Sequence, residues 1–423
     1  MRLGCILVVI AGCGGSSSSP DANPLGGDAP DARPLPQLDR SAQLCKLFSN
    51  LRTSDPTPND VQHRANILGA DLGIPVEHAN TLYILFGDTI GYAGIWSPGD
   101  SHPDSVGFGL DPASAIALDP SLLCTNLRML TLAPGDSRGP MVDPTVQADF
   151  AANAMAAPAG HSLGEYIRNP AGQPPQTFPY LPGDFEVPSG AFSHDGALYV
   201  FYTTVSSPTD VDMKASYLAR WGAPATTALP GWDILYSVDQ RFDSSGPLGG
   251  NFINIAAVPH DGYLYAFGTG EYRKSSVHLA RKPLASLATA GDFEQLGEII
   301  PTAAYGETSV RYFAAIDRWM FLAQGITAAG NQVVARFADR PEGPWSDAIV
   351  LHDMADPDFR ARYCCATTDN CQGEQFMNCD RTGFYGTYLF PEVVRDPTGF
   401  TVTYTMSSFD PYNVALFTTK FVD

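Results

Sequence analysis

One pattern recurs along this chain and limits its fold more than any composition figure: two strand-like apolar runs joined by a tight polar turn. Pro188-Ser-Gly-Ala-Phe-Ser-His-Asp-Gly-Ala-Leu-Tyr-Val-Phe-Tyr-Thr203 is followed by Asn254-Ile-Ala-Ala-Val-Pro-His-Asp-Gly-Tyr-Leu-Tyr-Ala-Phe-Gly-Thr269, with His-Asp-Gly at the same turn. Residues 308–323 and 388–404 repeat the design. An earlier copy, Asp71-Leu-Gly-Ile-Pro-Val-Glu-His-Ala-Asn-Thr-Leu-Tyr-Ile-Leu-Phe-Gly-Asp88, turns at His78-Ala79-Asn80. Asp-Gly between such runs is a strong hairpin signal, because both turn residues must take positive φ. A further alternating segment trails each of the five copies, at 127–132, 217–220, 277–281, 333–337 and 414–421. Three copies add an aromatic strand, around 232–236, 293–300 and 345–351. Recurring hairpins with one or two added strands are the signature of a β-propeller. A pair of β-sandwiches is the runner-up, but it gives no reason for one hairpin to return five times. The expected fold is all-β, a five-bladed β-propeller.

Gly (40) and Pro (35) are abundant and only 17% of residues are charged, which suits short strands and turns rather than long helices. The formal net charge of −20 repels phosphate backbones and anionic membrane surfaces, so nucleic acid is excluded as a partner. The start, Met1-Arg2, an apolar run from Leu3 to Ile10 and Ile10-Ala11-Gly12-Cys13, is too short to span a bilayer. It reads as a signal peptide over 1–12 ending in a lipobox, with Cys13 as the lipidated residue. Residues 13–40 then read as a disordered tether and 41–423 as the propeller, interrupted by an insertion at about 90–185. That insertion contains Gly91-Tyr-Ala-Gly-Ile-Trp96 and an Ala-rich stretch at 146–160 that suits a short helix. The expected location is the cell envelope, held by the lipid anchor, or the secreted fraction; a monomer is expected.

Export changes how the cysteines read. With Cys5 removed and Cys13 lipidated, Cys45, Cys124, Cys364, Cys365, Cys371 and Cys379 remain, and an even number in an exported chain favours disulfides. The cluster at 364–379 lacks the C-x₂-C spacing of zinc ribbons and suits a disulfide-pinned loop instead. Cys45 with Cys124 is a plausible staple, although spacing alone does not fix connectivity.

In a propeller the first strand of every blade starts at one rim of the channel, so residues at those starts converge. Here they are polar: Asp71 with Asp88; Asp184, Glu186 and Ser189; Asn251 and Asn254; Glu307 and Arg311; Tyr385 and Tyr388; with Trp96 from the insertion. If Glu77 faces Leu82 in an uninterrupted ladder, Asp71 faces Asp88, with Cβ atoms roughly 4.5–5.5 Å apart. Two like charges that close are not chosen for stability. Asp88 alone reads equally well as an Asx-type cap with Thr89. Two carboxyl groups plus donors for sugar hydroxyls are what glycoside hydrolysis requires. The Asp71/Asp88 pair favours retention; a partner across the channel, Glu186 or Glu307, favours inversion. No G-x-S-x-G, H-E-x-x-H or G-x-x-x-x-G-K-[ST] run occurs. His194 and His260 belong to hairpin turns, and His278 reads as a packed strand residue. Asp210 and Asp212 are weak grounds for a structural calcium, and no other cofactor is expected.

Asp-Leu-Gly at 71–73, Leu-Phe-Gly-Asp-Thr at 85–89, Pro-Ser-Gly-Ala-Phe at 188–192, Gly-Glu-Thr-Ser-Val-Arg at 306–311 and Tyr-Gly-Thr-Tyr at 385–388 resemble the motifs of domain of unknown function 4185. The resemblance covers the chain from about Asn59 to Asp423. It implies a five-bladed propeller. Some members are bacterial endo-D-arabinanases of glycoside hydrolase family 183, which cut mycobacterial D-arabinan, and their proposed catalytic aspartates match Asp71 and Asp88. The resemblance thus implies a furanose-containing polysaccharide as substrate. The chain departs from the family pattern in its cysteine cluster and in the insertion after Thr89. The alternative function is a non-catalytic surface lipoprotein that binds a glycan or protein; a calcium-dependent scaffold is a third reading.

Overall fold

The computed structural model describes residues 33–48, 57–59, 61, 67–91, 104–130, 166–168, 181, 185–205, 212–226, 231–241, 246–327, 330–367 and 371–423. Cys13, Trp96, Asp184, Asp210 and the Ala-rich stretch lie outside them. Residues from Leu35 to Asp423 form one compact unit, and the described residues are all-β with three short α-helices.

β1 (Gln37–Lys46) comes first in the chain but belongs to the last sheet. β2 (Ile67–His78), β3 (Thr81–Gly91), β4 (Ser105–Gly109) and β5 (Leu127–Met129) form a four-stranded antiparallel sheet. Between β4 and β5 lie α1 (Ala113–Leu118) and α2 (Leu123–Asn126). β6 (Tyr166–Arg168), β7 (Phe185–His194), β8 (Ala197–Val205), β9 (Met213–Trp221) and β10 (Gly231–Gln240) make the second sheet, in the order β6-β10-β9-β8-β7. The third contains seven strands in chain order: β11 (Asn254–His260), β12 (Tyr263–Thr269), β13 (Ser275–Pro283), β14 (Glu294–Phe313), β15 (Arg318–Thr327), β16 (Gly330–Ala338) and β17 (Ile349–Asp353). After α3 (Pro357–Tyr363), β18 (Tyr385–Asp396), β19 (Gly399–Phe409) and β20 (Tyr412–Val422) pair with β1 in the order β1-β20-β19-β18.

β14 explains the seven-stranded sheet. Its first part, Glu294 to Ile300, pairs with β13, and from Ala304 onward it pairs with β15. One continuous strand thus ends one four-stranded unit and begins the next.

The hairpin turns form as their sequences require. Asp195-Gly196 and Asp261-Gly262 both take positive φ (46° and 73°, 46° and 79°), as do Ala79 and Asn80 (48° and 60°). His194 and His260 therefore flank two-residue turns.

Strands β3, β8 and β12 are buried on both faces, so their runs are almost continuously apolar rather than alternating with polar residues. Ala197 to Val205 is buried throughout. Successive side chains enter two different cores. Tyr83 and Leu85 pack with Leu198, Val200 and Tyr202, while Leu82, Ile84 and Phe86 pack with Val414 and Leu416 of β20. Tyr199 and Phe201 meet Leu264 and Ala266; Tyr265 and Phe267 meet Trp319 and Phe321; Met320 and Leu322 meet Leu389 and Tyr404. The first strands touch in the same cycle: β2 with β7, β7 with β11, β11 with β14, β14 with β18, and β18 with β2.

Two boundaries differ from the sequence reading. β1 begins at Gln37, so the sheet takes up the chain before position 40. The span expected as an insertion also contains β4, which pairs with β3 and β5 and completes the first sheet; its short Ser-Val-Gly-Phe-Gly run carries little alternating pattern to reveal it.

The cysteines among the described residues are paired: Cys45 with Cys124, Cys364 with Cys379, and Cys365 with Cys371. The cluster's thiols are thereby unavailable as zinc ligands. No group of acidic, His or Cys residues able to hold a metal occurs among the described residues, and no helix among them is long and apolar enough to cross a membrane.

Candidate active site

Asp71 lies in β2 and Asp88 in β3, but they are not directly opposed. Glu77 does face Leu82, and the ladder then slips twice: Leu72 pairs with Phe86 and Ala70 with Thr89. Asp71 thus falls in a bulge facing Gly87 and Asp88. The uninterrupted ladder failed because Leu72 and Gly73 both take positive φ (60° and 91°), and such residues break a β ladder. The missing side chain of Gly87 makes room for the carboxylate, since a Cβ there would lie 2.5 Å from Asp71 Oδ1.

Asp71 is only 7% exposed. The Tyr385 hydroxyl donates to its Oδ2 at 2.6 Å, while Oδ1 is buried without a hydrogen-bond partner among the described residues. Burial, then the charge of Asp88, push its pKa well above the usual carboxylate range; the Tyr385 hydrogen bond opposes this and Glu307 adds to it. Asp88 is half-buried and accepts from the Tyr412 hydroxyl at 2.7 Å. Glu307 is buried, accepts from the Tyr272 hydroxyl at 2.6 Å through Oε1, and has no hydrogen-bond partner for Oε2 among the described residues.

The tyrosines feel these charges. Loss of hydration and the neighbouring carboxylates raise the pKa values of Tyr272, Tyr385, Tyr388 and Tyr412, so all four are hydrogen-bond donors at neutral pH. The Tyr388 hydroxyl is buried with no partner among the described residues and feels Glu307, Tyr272 and Asp71. Arg273 stands over two of the rings, its guanidinium carbon 4.6 Å from the Tyr272 centroid and 5.6 Å from that of Tyr385.

Asp71, Asp88, Glu307, Tyr385 and Tyr388 therefore meet, as their positions on the strands suggested. Tyr272, Arg273 and Tyr412 join them without having been singled out. They lie after β12 and at the start of β20, away from the first-strand starts, and only the polar Gly270-Glu-Tyr-Arg273 run hinted at them.

The other candidates have different surroundings. Glu186 is buried, and burial alone pushes its pKa well up, with no carboxylate of the cluster among the causes. Ser189 accepts from the Ile255 backbone N–H and donates to the Phe201 carbonyl, tying β7 to its neighbours. Asn251 is half-buried in the turn before β11; Asn254 is buried with Oδ1 unpartnered among the described residues. Arg311 donates to the carbonyls of Pro75 (2.6 Å) and Leu389 (3.3 Å), bridging β14 to β2 and β18, and burial pushes its pKa down to about 10. A small cleft is lined by residues of all five first strands, among them Ile74, Ser189, Ala256, Ser309 and Tyr388.

Fold and site together define an all-β protein with a largely buried carboxylate–tyrosine cluster, of which Tyr388 also lines the cleft shared by the first strands. The chain belongs to the family described as Domain of unknown function (DUF4185), whose sequence profile matches residues 170–418, more than half of the chain. That span is shorter than the motifs suggested, and the hairpin with Asp71 and Asp88 precedes it. No curated protein matches the sequence. Among solved structures, the chain is similar in fold to a protein of Bacteroides ovatus ATCC 8483 provisionally called a hydrolase, at 14% identity and a TM-score of 0.50, over 85% of this chain and 87% of that one. The catalytic domain of a Coprinopsis cinerea GH62 α-L-arabinofuranosidase aligns at 11% identity and a TM-score of 0.48, over 91% and 98%. An α-L-arabinofuranosidase of Podospora anserina aligns at 9% and 0.45, over 84% and 92%.

Proposed function

We propose that this protein is a glycoside hydrolase, endo-D-arabinanase-like, that cuts a furanose-containing polysaccharide with Asp71 and Asp88 on the rim of a five-bladed β-propeller. The cyclic contacts of the five first strands, and five apolar cores each lying between successive units, support that blade count, with β14 serving two blades. The observation that carries the function is Asp71: a buried carboxyl raised by burial, Asp88 and Glu307, with one oxygen unpartnered among the described residues. Glycoside hydrolysis needs a carboxyl that still holds its proton near neutral pH beside a second that acts as base or nucleophile. Asp71 suits the first role. Asp88, half-buried and oriented by Tyr412, suits the second. Tyr388 and Glu307 supply the donor and acceptor for sugar hydroxyls.

The three disulfides favour an oxidising compartment, in keeping with export. The test is hydrolysis of D-arabinan, L-arabinan and fructan by the protein and its Asp71→Asn and Asp88→Asn variants. Release of reducing ends from one of these, lost by roughly a thousandfold or more in both variants, supports the reading. No cleavage, with glycan binding that survives both substitutions, moves the assignment to a non-catalytic binding protein.

A further inference from the structure

Arg273 sits where stability alone would not place it. It holds φ at +58°, a left-handed conformation that is uncommon for a residue with a side chain. Its Nε is shut off from solvent without a hydrogen-bond partner among the described residues. Such outliers at a polar pocket point to a role in it.

The surroundings specify that role. The guanidinium stands over the faces of Tyr272 and Tyr385, and each of these tyrosines donates a hydrogen bond to a carboxylate of the site, Tyr272 to Glu307 and Tyr385 to Asp71. A cation over an aromatic face attracts the ring electrons and makes the phenol a stronger donor. Burial works against the Arg273 charge, but Tyr272, Glu307 and Tyr385 together favour it. The charge in turn lowers the Tyr272 pKa, against the larger upward pull of burial and Glu307.

We propose that Arg273 is a positioning residue that acts on two carboxylates at once, fixing the donors Tyr272 and Tyr385 and thereby the orientation of Glu307 and the orientation and charge of Asp71. The groups around Asp71 are Asp88 from β3, Glu307 from β14, Tyr385 and Tyr388 from β18, Tyr412 from β20 and Tyr272 from the loop after β12. Among these and Arg273, the arginine is the cation. Its removal leaves three carboxylates and four phenols with no opposing charge in the group. The proposal deepens the glycosidase reading and rests on it for the term catalysis, but the electrostatic claim stands without turnover.

The experiment follows the ¹³C-carboxyl titration of Asp71, assigned by its loss in Asp71→Asn, in the full chain and in Arg273→Met, Arg273→Gly and Arg273→Lys. Methionine fills the space between the rings without charge and glycine relieves the left-handed backbone, so the two neutral variants carry different risks to folding and either one that folds supplies the test. The neutral variants are expected to raise the Asp71 midpoint by about one pH unit, and lysine to recover most of the shift. An unchanged midpoint in the folded neutral variants, or a lysine variant as shifted as methionine, overturns the proposal. The titration needs no substrate, so absence of glycan cleavage sinks the glycosidase reading and leaves this one testable. Where cleavage is found, the alkaline limb of kcat/KM moves upward with the Asp71 midpoint.

Discussion

Asp71→Asn tests the site through the stability of the fold. Asparagine keeps the shape and still accepts from Tyr385, but it carries no charge at any pH. In the wild type the folded-state pKa of Asp71 is raised, so the folded protein binds a proton more tightly than the unfolded chain, whose aspartate titrates near 4. The favourable contribution of that proton is fully present below about pH 4 and is lost as pH rises through the folded-state value. One proton corresponds to about 1.4 kcal/mol per pH unit across that window. Chemical denaturation from pH 4 to pH 9 should therefore find the variant near wild type in acid. It should gain on wild type at up to about 1.4 kcal/mol per unit as the pH rises, then stay ahead by a constant amount. Turnover should collapse throughout. A variant less stable than wild type at pH 8, or a stability difference that ignores pH, would refute the reasoning that burial and the Asp88 charge hold Asp71 protonated.

Asp88→Asn should leave unfolding within about 1 kcal/mol of wild type, because a half-buried carboxylate facing Tyr412 contributes little, while activity falls with that of the Asp71 variant; a large loss of stability would mark Asp88 as a turn cap. Tyr385→Phe removes the hydrogen bond that lowers the Asp71 pKa, so the alkaline limb of the pH–rate profile should move up and turnover should drop about 10- to 100-fold. Arg311→Met strips the carbonyls of Pro75 and Leu389 of a charged donor and should cost about 2–3 kcal/mol in denaturant unfolding, with Asp71 still titrating as in wild type. Replacing Cys45 and Cys124 together by serine should cost about 2–5 kcal/mol, seen as a lower denaturation midpoint, with a steeper slope because the unfolded chain loses its cross-link and exposes more surface.

What the sequence revealed follows the range of its signals. Asp195-Gly196 and Asp261-Gly262 are local turn chemistry, and they folded as their residue types demand. The runs 82–86 and 198–202 announced buried strands, yet nothing local distinguishes a strand buried between two sheets from one with a single wet face. The pairing of β1 with β20 joins segments at opposite ends of the numbering, with no pattern linking them. In the site, residues on the first strands were legible because those strands share one rim. The Asp71–Asp88 register was misread because the left-handed backbone at Leu72 cannot be seen in a leucine, though Gly73 beside it was visible. Tyr272, Arg273 and Tyr412 approach from the ends of outer strands, so only the assembled sheets bring them in.

The placement of β1 has a consequence for how the molecule is made. Gln37 pairs with Val422 and Lys46 with Ala415, and the Lys46 ammonium reaches the carbonyls of Cys371 and Gln375. β1 must therefore wait until every later sheet has been synthesised before its partner strand exists. Until then β1 is an unpaired ribbon and the edge of β20 does not exist to receive it; once β20 forms, that edge is open to any passing strand until β1 reaches it. Contacts of such long sequence separation form slowly, because the ends must be brought together before anything repays the lost freedom. The Cys45–Cys124 link fastens β1 to the chain just before β5. Closed early, it keeps the waiting strand near its berth, so that the final seam is a short-range docking and not a search along the full chain.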